Sequence, residues 1–229
     1  MISSNLLNMV FYTINLLSDT STLFSYANDL PSALDSGMCV DSEYFDFSRA
    51  FDKVRHDYLI HKLKKYGLSG CLLKWIIDYL SYRTQVVKIK GYTSSGRRAA
   101  SGVIHGSVLG PLLFTVFLDD VDNDAENSSI LKYADDIRIY RSFKSDSLSQ
   151  PQNNILFQSD IDALFNWSTK WDLHFNSSKC CVLHFGRSNN QAYYSINVIP
   201  LVKKGQEKDL GIIFSTNFKF DQHTCIIYP

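Results

Sequence analysis

The stretch Ser129-Ile130-Leu131-Lys132-Tyr133-Ala134-Asp135-Asp136-Ile137-Arg138-Ile139-Tyr140 decides the reading of this chain. Two short β-type runs, 129–132 and 137–140, flank Tyr133-Ala134-Asp135-Asp136, so the pattern predicts a hairpin with two adjacent carboxylates at its tip. Those carboxylates repel each other, and neither favours a strand. A divalent cation removes the conflict: hard cations take oxygen ligands, and phosphoryl-transfer sites hold two of them about 3.5–4 Å apart. The plain alternative is a polar hairpin turn, since Asp is a common turn residue.

A two-metal site needs a third carboxylate from another element. Asp46 qualifies: Tyr44-Phe45 before it and Phe47 after it read as a strand end, 89 residues ahead of Asp135. Asp52 is the rival, but it stands at a helix start, where capping or a surface ion pair suits it.

Charge is unevenly spread. The 229 residues carry no net charge, yet 1–52 is −6, 53–98 is +9, 99–130 is −5 and the remainder +2. A basic block between acidic ones suits a polyanion held beside a metal-binding carboxylate cluster, and equally a solvated basic face. A hydrophobic fraction of 45% and an aromatic fraction of 14% supply a core and exclude a disordered profile. The five cysteines (39, 71, 180, 181, 225) are odd in number, lack C-x-x-C spacing and have no histidine at metal-ligand spacing, which argues against a disulfide framework or structural zinc and for an intracellular, reducing compartment. At the N-terminus Leu6, Leu7, Val10, Phe11, Ile14 and Leu17 have helical spacing without a basic n-region. The segment reads as an amphipathic core helix, neither signal peptide nor membrane span.

Further along, Asp57 is expected to cap a helix to Tyr66 with Tyr58, Leu59, Leu63 and Tyr66 on its apolar side, and Ser69 a second bearing Leu72, Trp75, Ile76, Tyr79 and Leu80. Residues 85–90 alternate like a strand and 91–96 read as a turn. A Gly-rich loop, 102–111, leads into an apolar helix over 112–121. Residues 142–152 read as a polar connector, and 153–171 as a helix with Phe157, Ile161, Leu164, Phe165, Ser168 and Trp171 on one face. Short strands are expected at 180–185, 193–198 and 209–214. No linker or repeat breaks the chain, so one continuous domain over 1–229 is expected.

Three segments make a family resemblance specific: 45–56, the Ser101-Gly102-Val103-Ile104-His105-Gly106-Ser107-Val108-Leu109-Gly110-Pro111 loop, and Tyr133-Ala134-Asp135-Asp136. In this order and spacing they resemble the reverse transcriptase of non-LTR retrotransposons, close to the jockey-like elements. Trp167-Ser168-x-x-Trp171, Phe175-Asn176-Ser177-Ser178-Lys179-Cys180, Phe185-Gly186-Arg187 and Lys208-Asp209-Leu210-Gly211 resemble the family's later palm motifs. The match runs from about Asp35 to His223.

The resemblance implies an α+β fold of the reverse transcriptase palm type: an antiparallel sheet carrying the carboxylates, backed by helices, with partial fingers. It implies RNA-directed DNA polymerase chemistry, adding deoxynucleoside triphosphates to a DNA primer on an RNA template, with two Mg²⁺ ions (Mn²⁺ as an alternative) on Asp46, Asp135 and Asp136. Lys179 would protonate the leaving pyrophosphate; a surface lysine is the other reading. Phe51 would sit under the incoming sugar and exclude a 2′-hydroxyl, against a core-packing role. Gly102, His105 and Gly106 would meet nucleotide and template. The strand around Phe185 and the Leu210-Gly211 turn would help hold the primer end.

The departures are also specific. The family usually has Pro-Gln-Gly where this chain has Ile104-His105-Gly106, and histidine is a shorter donor that changes charge near neutral pH. Few, net acidic residues precede Asp46 and six follow His223. The expectation is a palm with short fingers and neither thumb nor endonuclease, cut from a larger polyprotein or eroded element. The alternative to an active enzyme is an inactive remnant that at most binds nucleic acid weakly. An unrelated two-carboxylate phosphohydrolase fits the ordered motifs poorly.

Overall fold

The computed structural model describes residues 19–217. The N-terminal helix expected around Leu6–Leu17, together with Cys225 and His223, lies outside the described residues. The described residues divide into two compact units, one of residues 19–47, 121–169 and 174–217, the other of 48–120 and 170–173.

The first of these is built on a five-stranded sheet. In chain order its elements are α1 (Asp19–Asp35), β1 (Met38–Phe45), and, after the other unit's segment, a hairpin, a long helix and a series of short strands. The other unit contributes α2 (Ala50–Lys53), α3 (His56–Lys65), α4 (Gly70–Leu80), the two-residue strands β2 (Thr84–Gln85), β3 (Lys88–Ile89), β4 (Tyr92–Thr93) and β5 (Arg97–Arg98), and α5 (Leu109–Leu118). The sheet unit resumes with β6 (Ser129–Tyr133), β7 (Asp136–Lys144), α6 (Ser149–Lys170), β8 (Cys181–Phe185), β9 (Ser195–Ile196), β10 (Ile199–Pro200), β11 (Val202–Lys203), β12 (Gln206–Asp209) and β13 (Ile212–Ser215).

The sheet order is β11-β8-β1-β7-β6, antiparallel except for the short β11–β8 pair. β1 is central and buried on both faces, as side-chain alternation requires of a strand covered on both sides. Its even-numbered residues meet α1: Val40 joins Tyr26, Leu30, Tyr140, Cys181, Leu183, Phe185 and Phe214 in one apolar cluster. Its odd-numbered residues meet α6, whose buried stripe is Asn153, Phe157, Asp160, Ile161, Leu164, Trp167 and Ser168. This is the mixed α+β architecture expected, a mostly antiparallel sheet backed by helices.

The α6-facing layer holds charge that the sequence pattern did not announce. Asp41 is fully buried and accepts hydrogen bonds from Asn189 (2.8 Å), Asn153 (3.0 Å) and the Tyr194 hydroxyl, with His184 Nδ1 at 2.6 Å. Glu43, two residues on, is also fully buried and neither carboxyl oxygen has a hydrogen-bond partner. Desolvation first, then the charge of Asp162, hold its carboxyl well above the ordinary range.

In the helical unit, Leu59, Leu63, Ile76, Leu80, Leu113, Phe114 and Phe117 supply the core. Lys62 is buried within it. Its ammonium donates to the Phe117 carbonyl (2.6 Å), ion-pairs with Asp120, and lies 3.9 Å from the Trp171 ring centroid. Burial, opposed by Asp120, lowers the Lys62 ammonium to about 8.

Several boundaries correct the expected ones. Asp57 does not cap α3: the helix starts at His56, and Asp57 instead accepts a 2.6 Å ion pair from Arg55. Ser69 takes the N-cap position of α4 without a side-chain cap, and the buried face is Leu73, Ile76 and Leu80, leaving Leu72 and Trp75 exposed. The strand expected over 85–90 is two exposed pieces, and the 91–96 turn contains β4. α5 begins at Leu109, earlier than expected, because the Ser107 hydroxyl accepts the Gly110 N–H at 2.9 Å and caps the first turn. The expected 142–152 connector is short: β7 runs to Lys144, Asp146 accepts from the Leu148 and Ser149 amides, and α6 starts at Ser149. Of the strand expected over 193–198 only β9 is extended, paired with β10 just beyond it, and the strand expected over 209–214 falls on a hairpin, β12–β13. Among the described residues no helix is long and apolar enough to cross a membrane, and Cys39, Cys71, Cys180 and Cys181 are free thiols.

Candidate active site

The carboxylates come together through strand register. Phe45, the last residue of β1, pairs with Ile137 of β7. The residue after Phe45 and the residue before Ile137 are Asp46 and Asp136, so the pairing carries both to one end of the sheet. Phe45 and Phe47 both pack on Phe175, with ring centroids 4.7 and 4.6 Å away. By alternation Asp46 between them projects to the other face. The Asp46 carbonyl accepts the Asn176 N–H at 2.7 Å, which ties the strand end to the 175–180 turn.

The β6–β7 hairpin closes with Tyr133 opposite Asp136, leaving Ala134 and Asp135 as the two-residue loop. Ala134 takes the left-handed conformation (φ 49°), unusual for a residue with a Cβ, and so holds Asp135 at the tip. The Asp136 carboxyl lies above its ordinary range. Desolvation is the main cause, followed by the charges of Asp135 and Asp46; Arg138 and Lys179 oppose it. Asp136 therefore feels both other acids. Among the described residues, however, no group of three His, Cys, Asp or Glu side chains is drawn together as a metal-holding set. Asp46 is engaged elsewhere: the Lys179 ammonium is 3.1 Å from its carboxylate.

Asp46, Asp136 and Lys179 line one cavity of about 350 Å³. Asp46, Asp136 and Tyr133 stand with Lys179, and the β12–β13 hairpin and the turn before it add Lys204, Lys208 and Leu210. Carboxylates and lysines sharing one polar cavity suit a ligand that brings cations and anionic phosphate together.

The remaining predicted residues lie in the helical unit. Phe51 is half-buried, stacked on Phe114 (4.4 Å, 18° between planes) and tilted against His105 (5.1 Å). His105 Nε2 is 3.2 Å from the Asp52 carboxylate, both side chains well exposed, so the rival carboxylate Asp52 is in a surface pair. Gly102 (φ +89°) is pressed against its own chain: a Cβ there would meet the Asp52 carbonyl oxygen at 3.0 Å and the Phe51 carbonyl oxygen at 3.2 Å. Its N–H donates to the Val54 carbonyl (2.8 Å), and the Val103 N–H to that of Phe51 (2.9 Å). Gly106 has φ +75° and open space around it. Phe51, Gly102 and His105 thus lie close together in this unit, while Asp46, Asp136 and Lys179 share a cavity in the sheet unit, with Asp135 on the hairpin loop beside Asp136.

Three packing roles went unread in the sequence. Arg138 is a buried cation two residues beyond Asp136; a charged residue between Ile137 and Ile139 was its only signal. Gly110 admits no Cβ, which would lie 2.3 Å from the Ile104 carbonyl oxygen. Gly186 lets β8 end against Cys39, whose Sγ would be 2.9 Å from an added Cβ.

Comparison with known proteins agrees with this geometry. Residues 35–220 match the family described as reverse transcriptase (RNA-dependent DNA polymerase). The chain is 31% identical over 188 residues to the RNA-directed DNA polymerase from mobile element jockey of Drosophila melanogaster, covering 79% of this chain and 20% of that protein. The corresponding jockey protein of Drosophila funebris is 31% identical over 199 residues, covering 83% and 21%. The chain thus spans about a fifth of the length of these relatives. In fold it is similar to apo telomerase from Candida tropicalis truncated from its C-terminal domain, with a TM-score of 0.57 at 13% identity, covering 86% of this chain and 38% of the other. The matched stretch contains both the strand-end Asp46 and the Asp135–Asp136 hairpin, and with it the chain belongs to the reverse transcriptase family, related to the enzymes of jockey-type non-LTR retrotransposons.

Proposed function

We propose that this chain carries the palm of an RNA-directed DNA polymerase, transferring nucleotides to a primer 3′-end on an RNA template. The observation that carries the reading is the register that delivers Asp46 and Asp136 to one sheet end, beside Asp135. The donors are all carboxylate oxygens, which suit a hard cation; desolvation raises Asp136 most, and the repulsion from Asp135 and Asp46 that adds to it is what a divalent ion would relieve. The residues therefore fit Mg²⁺, with Mn²⁺ as an alternative. Asp46, Asp135 and Asp136 would hold two ions. Such ions, when bound, lower the pKa of the attacking hydroxyl and stabilise charge on the transferred phosphoryl group.

The chain's own side chains take the other roles. Lys179 would leave Asp46 and deliver a proton to the departing pyrophosphate. Phe51, held by its stack on Phe114, would present a ring to the incoming sugar and exclude a 2′-hydroxyl. His105 replaces the family glutamine at the nucleotide, and the left-handed Gly106, with open space around it, leaves backbone accessible there. RNA template, DNA primer and deoxynucleoside triphosphates are the implied partners, with the rest of a longer polymerase supplying the parts that grip the duplex.

A second reading, a folded remnant that only binds nucleic acid, is favoured by the Lys179–Asp46 pair, which occupies one of the three ligands. The two are separated by replacing the matched segment of the jockey polymerase with residues 35–217 of this chain. Active-palm chemistry gives RNA-templated extension that Asp135→Ala abolishes. A folded chimera that binds primer-template without extending it supports the remnant.

A further inference from the structure

The β12–β13 hairpin forms a wall of the carboxylate cavity, contributing Lys208, Asp209 and Leu210. A two-stranded hairpin is marginal on its own and needs docking to persist. This one has little buried surface with which to dock: from Gln206 to Ser215, Phe214 is the only buried residue. Ile212 adds a partial contact to the α1-side cluster, and Glu207 meets Cys181 Sγ at 3.3 Å.

Arg138 supplies the missing anchorage. It follows Asp136 by two on β7, so both side chains leave the same face of the sheet. Its Nη2 is ion-paired with Asp209, the last residue of β12, and both side chains are nearly buried, 6% and 10% exposed. Its guanidinium lies 5.1 Å from the ring centroid of Phe214 on β13, 4.1 Å from Tyr26 on α1 and 4.5 Å from Tyr44, its cross-strand partner on β1. A planar guanidinium can stack on rings while donating at its edge, which an ammonium cannot do. One side chain thus grips both strands of the hairpin. Its Nε and Nη1 have no hydrogen-bond partner, so among the described residues its charge is compensated by the paired Asp209 carboxylate and, electrostatically, by that of Asp136. Removing one partner leaves an unpaired buried charge.

We propose that Arg138 is a positioning residue: its buried pair with Asp209 fastens the β12–β13 hairpin to the strand that carries Asp136, and thereby holds Lys208 and Leu210 at the cavity wall. The proposal rests on the nucleotidyl-transfer reading only in calling that cavity the reaction site. Its test uses the full chain without metal or nucleic acid, so the two can fail separately.

Amide hydrogen exchange is followed in the wild type, Arg138→Met and Asp209→Asn. The expected result is exchange at least about tenfold faster in the Gln206–Ser215 amides of both variants, with less than about twofold change in β1 and β8, because only the hairpin's docking is lost. Uniform acceleration across the sheet would make Arg138 an ordinary core residue and overturn the proposal. Unchanged hairpin protection would overturn it as well. Asp209→Asn preserves side-chain shape, so it decides the question if Arg138→Met does not fold.

Discussion

The Lys179 ammonium stands 3.1 Å from the Asp46 carboxylate, at the end of the sheet where Asp135 and Asp136 also gather. A lysine there is a counter-ion that a divalent cation must displace. Both partners are substantially exposed, so the pair contributes at most about 1 kcal/mol. Lys179→Met should therefore tighten Mn²⁺ binding by up to about fivefold and leave thermal stability nearly unchanged. A metal titration followed by a melting curve checks both. Weaker Mn²⁺ binding in the variant would show that Lys179 supports the site in some other way.

Phe51 has two consequences in one side chain. Its stack on Phe114 makes Phe51→Ala a core truncation, with an expected loss of about 2–4 kcal/mol in denaturant unfolding. In an active chimera the same change should let ribonucleotides compete better with deoxynucleotides. Phe51→Leu, which keeps most of the volume, should lose less stability and still relax discrimination. Unchanged discrimination in a well-folded Phe51→Leu enzyme would return Phe51 to a packing role alone.

Glu43 should make stability depend on pH. Its folded carboxyl is raised, so the neutral form is the one the fold accommodates. For an acid shifted upward, the contribution is fully present below the unfolded pKa, near 4.5, and is lost as pH rises through the higher folded value. Glu43→Met removes the penalty and should stabilise the chain at pH 7–8 by about 1–3 kcal/mol, with the gain shrinking toward pH 4.5. Urea unfolding of both proteins across this range is the measurement. A gain that stays constant with pH would assign the effect to packing instead of charge.

The basic block of 53–98 is displayed on its short-stranded ribbon: Lys88, Lys90, Arg97 and Arg98 are exposed there, and Arg98 lies 5.4 Å from the exposed Tyr82 ring. We expect sequence-independent binding of single-stranded nucleic acid that weakens with salt. Arg97→Ala with Arg98→Ala should reduce the slope of log affinity against log salt by about 1.4, from two lost phosphate contacts. Fluorescence anisotropy over a salt series reads the slope directly, and an unchanged slope would move the contact elsewhere.

Much of this architecture was legible in the sequence where period and chemistry agree. The β-type runs around Tyr133–Asp136 and the strand end at Asp46 needed only alternation and two incompatible carboxylates. Long-range pairing was less legible. Nothing local says that Arg138 meets Asp209, because the pairing depends on a hairpin folding back over the sheet. Nor does local pattern say that Asp41 and Glu43 are buried, since charge on a strand ordinarily marks its exposed face. Helix starts were misplaced for a similar reason: Ser107, two residues before α5, accepts the Gly110 N–H of its first turn, while Asp57 inside α3 is drawn to Arg55. Gly102 reads in sequence as room for a ligand, and in the fold also as room for the chain's own backbone at Asp52.

The central claim is that Asp46, Asp135 and Asp136 form a divalent-cation site. Its most direct test is the Mn²⁺-dependent rise in melting temperature of the wild-type chain against that of Asp135→Asn. Binding to the folded state stabilises by mass action, about 2.7 kcal/mol at a hundredfold excess over Kd. The account predicts a Mn²⁺-dependent rise in the wild type that is largely lost in Asp135→Asn. An equal rise in both proteins, or none in the wild type at millimolar Mn²⁺, would contradict it.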